Sequence, residues 1–142
     1  LDIAKKVGAD YALNPKDDDL VGKIKELTNG VGADIVLEMS GNHNVFKSAL
    51  DSARRGGRLT LFGLFDKKLE VDATDDIIFS GRRIVGITGR KIWQTWEKTA
   101  ELLGPKKLNL DPIITHTFKL DEYEKGMALM KEGKCGKVVL FI

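Results

Sequence analysis

The 142-residue sequence predicts an α/β fold, a doubly wound, mostly parallel sheet with helices on both faces. Three observations lead there. Short apolar runs alternate with segments of helical periodicity along almost the whole chain. The strongest run contains Ile35, Val36, Leu37 and Met39 and lacks polar alternation, which predicts a central strand covered on both faces. Three successive runs also end in glycine-bearing turns, at Ser40-Gly41, Phe62-Gly63 and Thr88-Gly89, which defines a rim at one end of three strands. In open parallel sheets ligands lie just beyond the carboxyl ends of the strands, so Ser40 and Gly41 are the first place to look for a bound molecule.

Each element follows from local pattern. Leu1, Ile3, Ala4 and Val7 are spaced as the last turns of a helix, stopped by Gly8. Residues 10–13 read as a short strand ended by Asn14-Pro15. Asp17, Asp18 and Asp19 then crowd the start of a helix whose stripe is Leu20, Val21, Ile24 and Leu27 and whose stop is Gly30. Adjacent carboxylates at a helical start diverge, so capping accounts for this trio better than a metal. After the strand at 34–39, Ser40-Gly41-Asn42 supplies a turn and a cap, and Val45, Phe46, Ala49, Leu50 and Ala53 paint one helical face.

Residues 54–57 make a turn and 58–62 a second strand ending at Gly63. That glycine either lets a flat ligand approach or simply makes the turn. Residues 72–79 are expected as a short helix capped by Thr74 or Asp75, with Ile77, Ile78 and Phe79 inward. A third strand at 83–88 follows. Ile92, Trp93, Trp96, Ala100 and Leu103 then give a helix whose two tryptophans are expected in a core or a subunit contact. Residues 113–118 form a strand around His116, Leu120, Tyr123, Met127 and Met130 an amphipathic helix ending near Gly133, and 137–142 a closing strand.

Composition removes several function classes. With 23 basic and 21 acidic residues the net charge is only +2, which gives no electrostatic case for nucleic acid or an anionic membrane. Cys135 is the single cysteine, so neither an internal disulfide framework nor a cysteine-rich zinc site is available, and a reducing, cytoplasmic setting is expected. No apolar run approaches the roughly 18 residues of a membrane span. The opening at Leu1, in the middle of an amphipathic pattern and without methionine, reads as a cut helix and predicts a fragment.

The search for a self-contained active site comes up short. His43 and His116 lie in different elements and fit no ligand spacing, so both read as structural. Ser40 lacks the glycine two residues upstream that a nucleophile elbow requires. Neither GxxxxGK[ST] nor GxGxxG occurs, which leaves phosphate binding by a glycine-rich loop unsupported. Glu38 is expected to hold the rim together by hydrogen bonds, and Cys135 has no histidine partner to activate it.

The stretches 32–41, 56–63, 86–90, 110–116 and 136–140 together resemble the C-terminal portion of the medium-chain zinc-dependent alcohol dehydrogenases. The pairing of Leu37-Glu38-Met39-Ser40-Gly41 with Gly89-Arg90 and Trp93-Gln94-Thr95-Trp96 is most similar to the branch that oxidises L-threonine. The resemblance implies an incomplete Rossmann-type domain over residues 1–104 and a segment over 105–142 that returns toward a substrate domain. It also implies an NAD cofactor and oxidation of threonine to 2-amino-3-oxobutanoate, with hydride passing to the nicotinamide and zinc polarising the alcohol.

Carried over by position, Phe62, Gly63 and Leu64 match the family's cofactor-contacting turn and Ile87 and Thr88 the rim near the nicotinamide. Ser40 and Gly41 lie beside the same cleft. The glycine fingerprint, the ribose-binding acid and the zinc ligands of the family have no counterpart here, so weak or absent cofactor binding and no turnover are expected of this chain alone. In the family's strand order the strands near 34–39, 58–62 and 83–88 stay neighbours while the one near 10–13 loses its neighbours. An open apolar edge follows, and with it a homo-oligomer or a rearranged sheet.

Overall fold

A computed structural model describes residues 1–16, 19–104 and 108–142. In chain order the elements are α1 (Asp2–Lys6), α2 (Leu20–Leu27), β1 (Ala33–Glu38), α3 (His43–Ser52), β2 (Ala53–Leu61), a π-helical turn (Ala73–Ile78) and β3 (Arg83–Gly86). They continue with α4 (Gln94–Leu103), β4 (Ile114–Lys119), α5 (Tyr123–Lys131) and β5 (Lys137–Phe141). The chain divides into two compact units, Leu13–Arg90 and Leu1–Ala12 with Lys91–Ile142.

In the first unit β1, β2 and β3, the strands that the three apolar runs predict, form a parallel sheet in that order, neighbours as the family resemblance implies. Val36, Leu59 and Ile84 share one register row and therefore one face. They pack with Phe46 and Leu50 of α3, and Leu50 and Leu59 are fully buried. Phe46 also meets Phe65 edge to face at 6.0 Å. Asn42 caps α3, its side chain accepting the Asn44 N–H, and Asp19 caps α2 by accepting from Gly22 N–H. Asp17 and Asp18 of the aspartate trio lie outside the described residues.

Several expectations are corrected here. Among the described residues β1 is an edge strand and β2 the middle one; Ile35 and Leu37 on the face away from α3 are 52% and 62% exposed. The strand expected at 10–13 has no ladder among the described residues, and Tyr11 is exposed. In the π-helical turn the cap is Asp72, accepting from Thr74 and Asp75 N–H. The inward residue there is Asp76, while Ile78 and Phe79 face solvent. An ion pair accompanies that orientation: Lys47 Nζ of α3 lies 2.6 Å from the Asp76 carboxylate, so the acid, with Ile77 half-buried beside it, is held in while Ile78 and Phe79 stay outside.

In the second unit β4 and β5 form a separate two-stranded parallel sheet. The expected helix forms, and its stripe of Leu120, Tyr123, Met127 and Met130 is exposed. Helix α5 packs instead through Gly126, where an added Cβ would lie 2.9 Å from Val138 and 3.5 Å from Phe118. Trp93 and Trp96 are exposed too, stacked edge to face on each other at 5.7 Å rather than placed in a core. His116 lies flat against Phe118, with ring centroids 6.2 Å apart, a structural placement.

Candidate functional site

The parallel register aligns the strand ends. Glu38, Leu61 and Gly86 share one row, so the turns that carry Ser40, Gly63 and Thr88, each two residues further on, all leave the sheet at the same carboxyl end. All seven residues singled out from the sequence, Ser40, Gly41, Phe62, Gly63, Leu64, Ile87 and Thr88, belong to these three turns. Backbone bonds continue past the strands and hold the turns together. The Glu38 carbonyl accepts the N–H groups of Phe62 at 2.9 Å and Gly63 at 3.2 Å, and the Leu61 carbonyl accepts from Ile87 N–H at 2.9 Å.

The Glu38 side chain holds the first turn. Only 4% of the residue is exposed, and its carboxylate accepts from the Ser40 N–H at 2.9 Å, from the Ser40 hydroxyl and from the Gly41 N–H at 3.1 Å. Rim hydrogen bonding, as the sequence predicts, is therefore its observed role.

Of the two readings left open for Gly63, the turn itself has a direct structural basis. An added Cβ would fall 2.1 Å from the Gly41 nitrogen and 2.8 Å from a Glu38 carboxylate oxygen. A Cβ on Gly41, whose φ is +68°, would fall 2.3 Å from the Leu64 carbonyl. Turn packs on turn, backbone to backbone, and this contact alone requires glycine at both positions.

Above that packed base the surface is apolar. Leu64 is 93% exposed and Phe62 and Ile87 are about half exposed, so the ledge offers flat hydrophobic contact beside the polar backbone and side chains of Ser40 and Thr88. Such a mixture suits a planar ring carrying hydrogen-bonding groups. A metal has no comparable place: among the described residues no group of three histidine, cysteine, aspartate or glutamate side chains converges.

Sequence reasoning missed two polar ties elsewhere in the first unit. His43 Nδ1 lies 3.2 Å from the Asp66 carboxylate, joining the start of α3 to the segment after β2. Lys47 bonds both Asp51 and Asp76. Its ammonium holds the Asp76 carboxyl below the ordinary aspartate range, and the same hydrogen bond raises Lys47 above its ordinary value. No spacing rule finds this pair, because Lys47 and Asp76 are 29 residues apart.

Comparison with known proteins follows the same lines. A family described as zinc-binding dehydrogenase matches residues 1–104. The chain is 45% identical to an L-threonine 3-dehydrogenase of Pyrococcus horikoshii, over 99% of this chain and 41% of that protein. It is 40% identical to an L-threonine 3-dehydrogenase of Bacillus subtilis, over 99% of this chain and 40% of that protein. It thus spans about two fifths of the length of these relatives.

Among solved structures it superposes on an alcohol dehydrogenase of Thermotoga maritima with a TM-score of 0.88 and 25% identity, covering 99% of this chain and 40% of that one. A 2R,3R-butanediol dehydrogenase of Bacillus subtilis gives a TM-score of 0.81 and 27% identity, covering 97% and 40%. Among the described residues no helix is long and apolar enough to cross a membrane.

Proposed function

Because the chain belongs to the zinc-binding dehydrogenase family, we propose that it forms part of an oxidoreductase that passes hydride from the secondary alcohol of L-threonine to NAD. The observation that carries this reading is the alignment of the turns at Ser40, Gly63 and Thr88 along one ledge. Its support for the substrate is the likeness to L-threonine 3-dehydrogenases over nearly the whole chain. Residues 1–104 would be the dinucleotide-binding portion, with 105–142 returning toward the substrate side.

The residues present fit one end of a dinucleotide. Phe62, Gly63 and Leu64 with Ile87 and Thr88 would hold the nicotinamide end, and Ser40 and Gly41 would border the adjoining ribose. The apolar faces of Phe62 and Ile87 would exclude water from the ring, and the backbone groups of the turns would hydrogen-bond its substituents. No phosphate-cradling glycine loop occurs in the sequence, which supports weak affinity in this chain by itself. Zinc has no ligand set among the described residues.

Calorimetric titration with NAD tests the proposal on this chain and on a longer chain carrying the upstream segment found in the relatives. The longer chain is expected to bind NAD and oxidise threonine with zinc present. If it did neither, the enzyme reading would be abandoned. A panel of other alcohols and polyols, including 2,3-butanediol, separates the threonine reading from that of another dehydrogenase in the family. Homo-oligomerisation is part of the same proposal, supported by the exposed Ile35 and Leu37 on edge strand β1. A monodisperse monomer at high concentration would count against it.

A further inference from the structure

We propose that Glu38 is a positioning residue for cofactor binding, one that fixes two turns of the ledge relative to each other without itself contacting the dinucleotide. The inference rests on the functional reading above and names the residue that gives the site its shape.

Glu38 grips both turns at once. Its backbone carbonyl accepts from the N–H groups of Phe62 and Gly63, which anchors the second turn to the end of β1. Its carboxylate accepts from the N–H and hydroxyl of Ser40 and from the Gly41 N–H, which anchors the first. The carboxylate also fills the space beneath Gly63, since a Cβ there would meet it at 2.8 Å. Four of the seven ledge residues are thus bonded to one almost fully buried side chain and its own carbonyl.

A buried carboxylate is costly to desolvate unless donors converge on it. Here the donors are the groups whose orientation decides what the ledge presents to a ligand. Removing the carboxylate leaves the Ser40 and Gly41 N–H groups without their acceptor, and the first turn relaxes away from Gly63 to find another.

The experiment uses the longer chain carrying the upstream segment of the relatives. NAD dissociation constants, kcat at saturating NAD and thermal midpoints are measured for the parent and for E38A, E38Q, G63A and L50A. E38A is expected to weaken NAD binding about tenfold while kcat at saturating NAD stays within about twofold. E38Q, which keeps one acceptor oxygen in place, restores the larger part. G63A is expected to reproduce the loss with Glu38 present, because its Cβ forces the turns apart.

L50A, a core variant outside the ledge, lowers the thermal midpoint but leaves NAD affinity unchanged. Equal NAD affinity in parent and E38A overturns the proposal, as does a loss in E38A no larger than that in L50A. If E38A fails to fold, E38Q decides: NAD affinity equal to the parent's overturns the proposal, and a smaller loss of affinity at unchanged kcat upholds it. A parent that binds no NAD overturns the functional reading instead, which is a separate result.

Discussion

Among the described residues the sheets β1–β3 and β4–β5 are built from similar apolar runs, yet they solve the burial problem differently. In the unit Leu13–Arg90 a register row of Val36, Leu59 and Ile84 meets α3, and the fully buried Leu50 and Leu59 make a closed core. In the unit of Leu1–Ala12 with Lys91–Ile142, the apolar stripes of α4 and α5 face outward, and α5 approaches its sheet through the missing side chain of Gly126. The difference shows that hydrophobic periodicity predicts that a helix forms, while the partner available to it decides which face is covered.

Substitutions sharpen that contrast. Leu59→Ala opens a cavity in a fully buried position and is expected to lower stability by about 3 kcal/mol, read by urea denaturation. Met127→Ala on the exposed stripe of α5 is expected to stay within about 0.5 kcal/mol. Comparable losses for the two variants would erase the distinction between the units.

Breaking the polar tie of the first unit comes next in size. Asp76→Ala removes the acceptor of Lys47 and of the Asp72 N–H and is expected to cost about 2 kcal/mol. The same pair predicts the pH dependence. The Asp76 carboxyl is lowered in the folded state, so its contribution is present above the unfolded value of about 4 and is lost as pH falls through the folded value. Lys47 is raised, so its contribution is present below about 10.5 and is lost as pH rises through its higher folded value. Urea midpoints across this range should flatten at both ends in the Asp76→Ala variant, and unchanged slopes would sink the assignment.

A loss smaller than that of Asp76→Ala is expected at the packed face of α5. Gly126→Ala pushes a methyl against the Val138 side chain and should lower stability by about 1 kcal/mol, seen as a shift in the melting of the β4–β5 region. A neutral result would mean that α5 shifts freely over its sheet.

Legibility in the sequence followed the same divide. The three strands and their glycine-bearing ends were readable, because continuous apolar runs ending in small residues have few alternative structures, whereas the order of the strands came from the family resemblance. The edge position of β1 was not, since Ile35, Val36 and Leu37 describe a strand suited to two covered faces whether or not both covers are present. At 72–79 the apolar residues Ile78 and Phe79 drew the expectation inward, and Asp76 overrode it through a lysine 29 residues away. The need for glycine at 41 and 63 was visible as composition, but its cause, each turn resting on the other, exists only in three dimensions.

The two tryptophans carry a practical consequence. Both indoles belong to the unit that contains Lys91–Ile142, and they stack on one another at 5.7 Å. Their emission therefore witnesses only half of the molecule, whereas far-ultraviolet dichroism samples all of it. Superimposable melting curves from the two signals would reveal a single cooperative transition, and divergent ones would show that the halves come apart on their own terms.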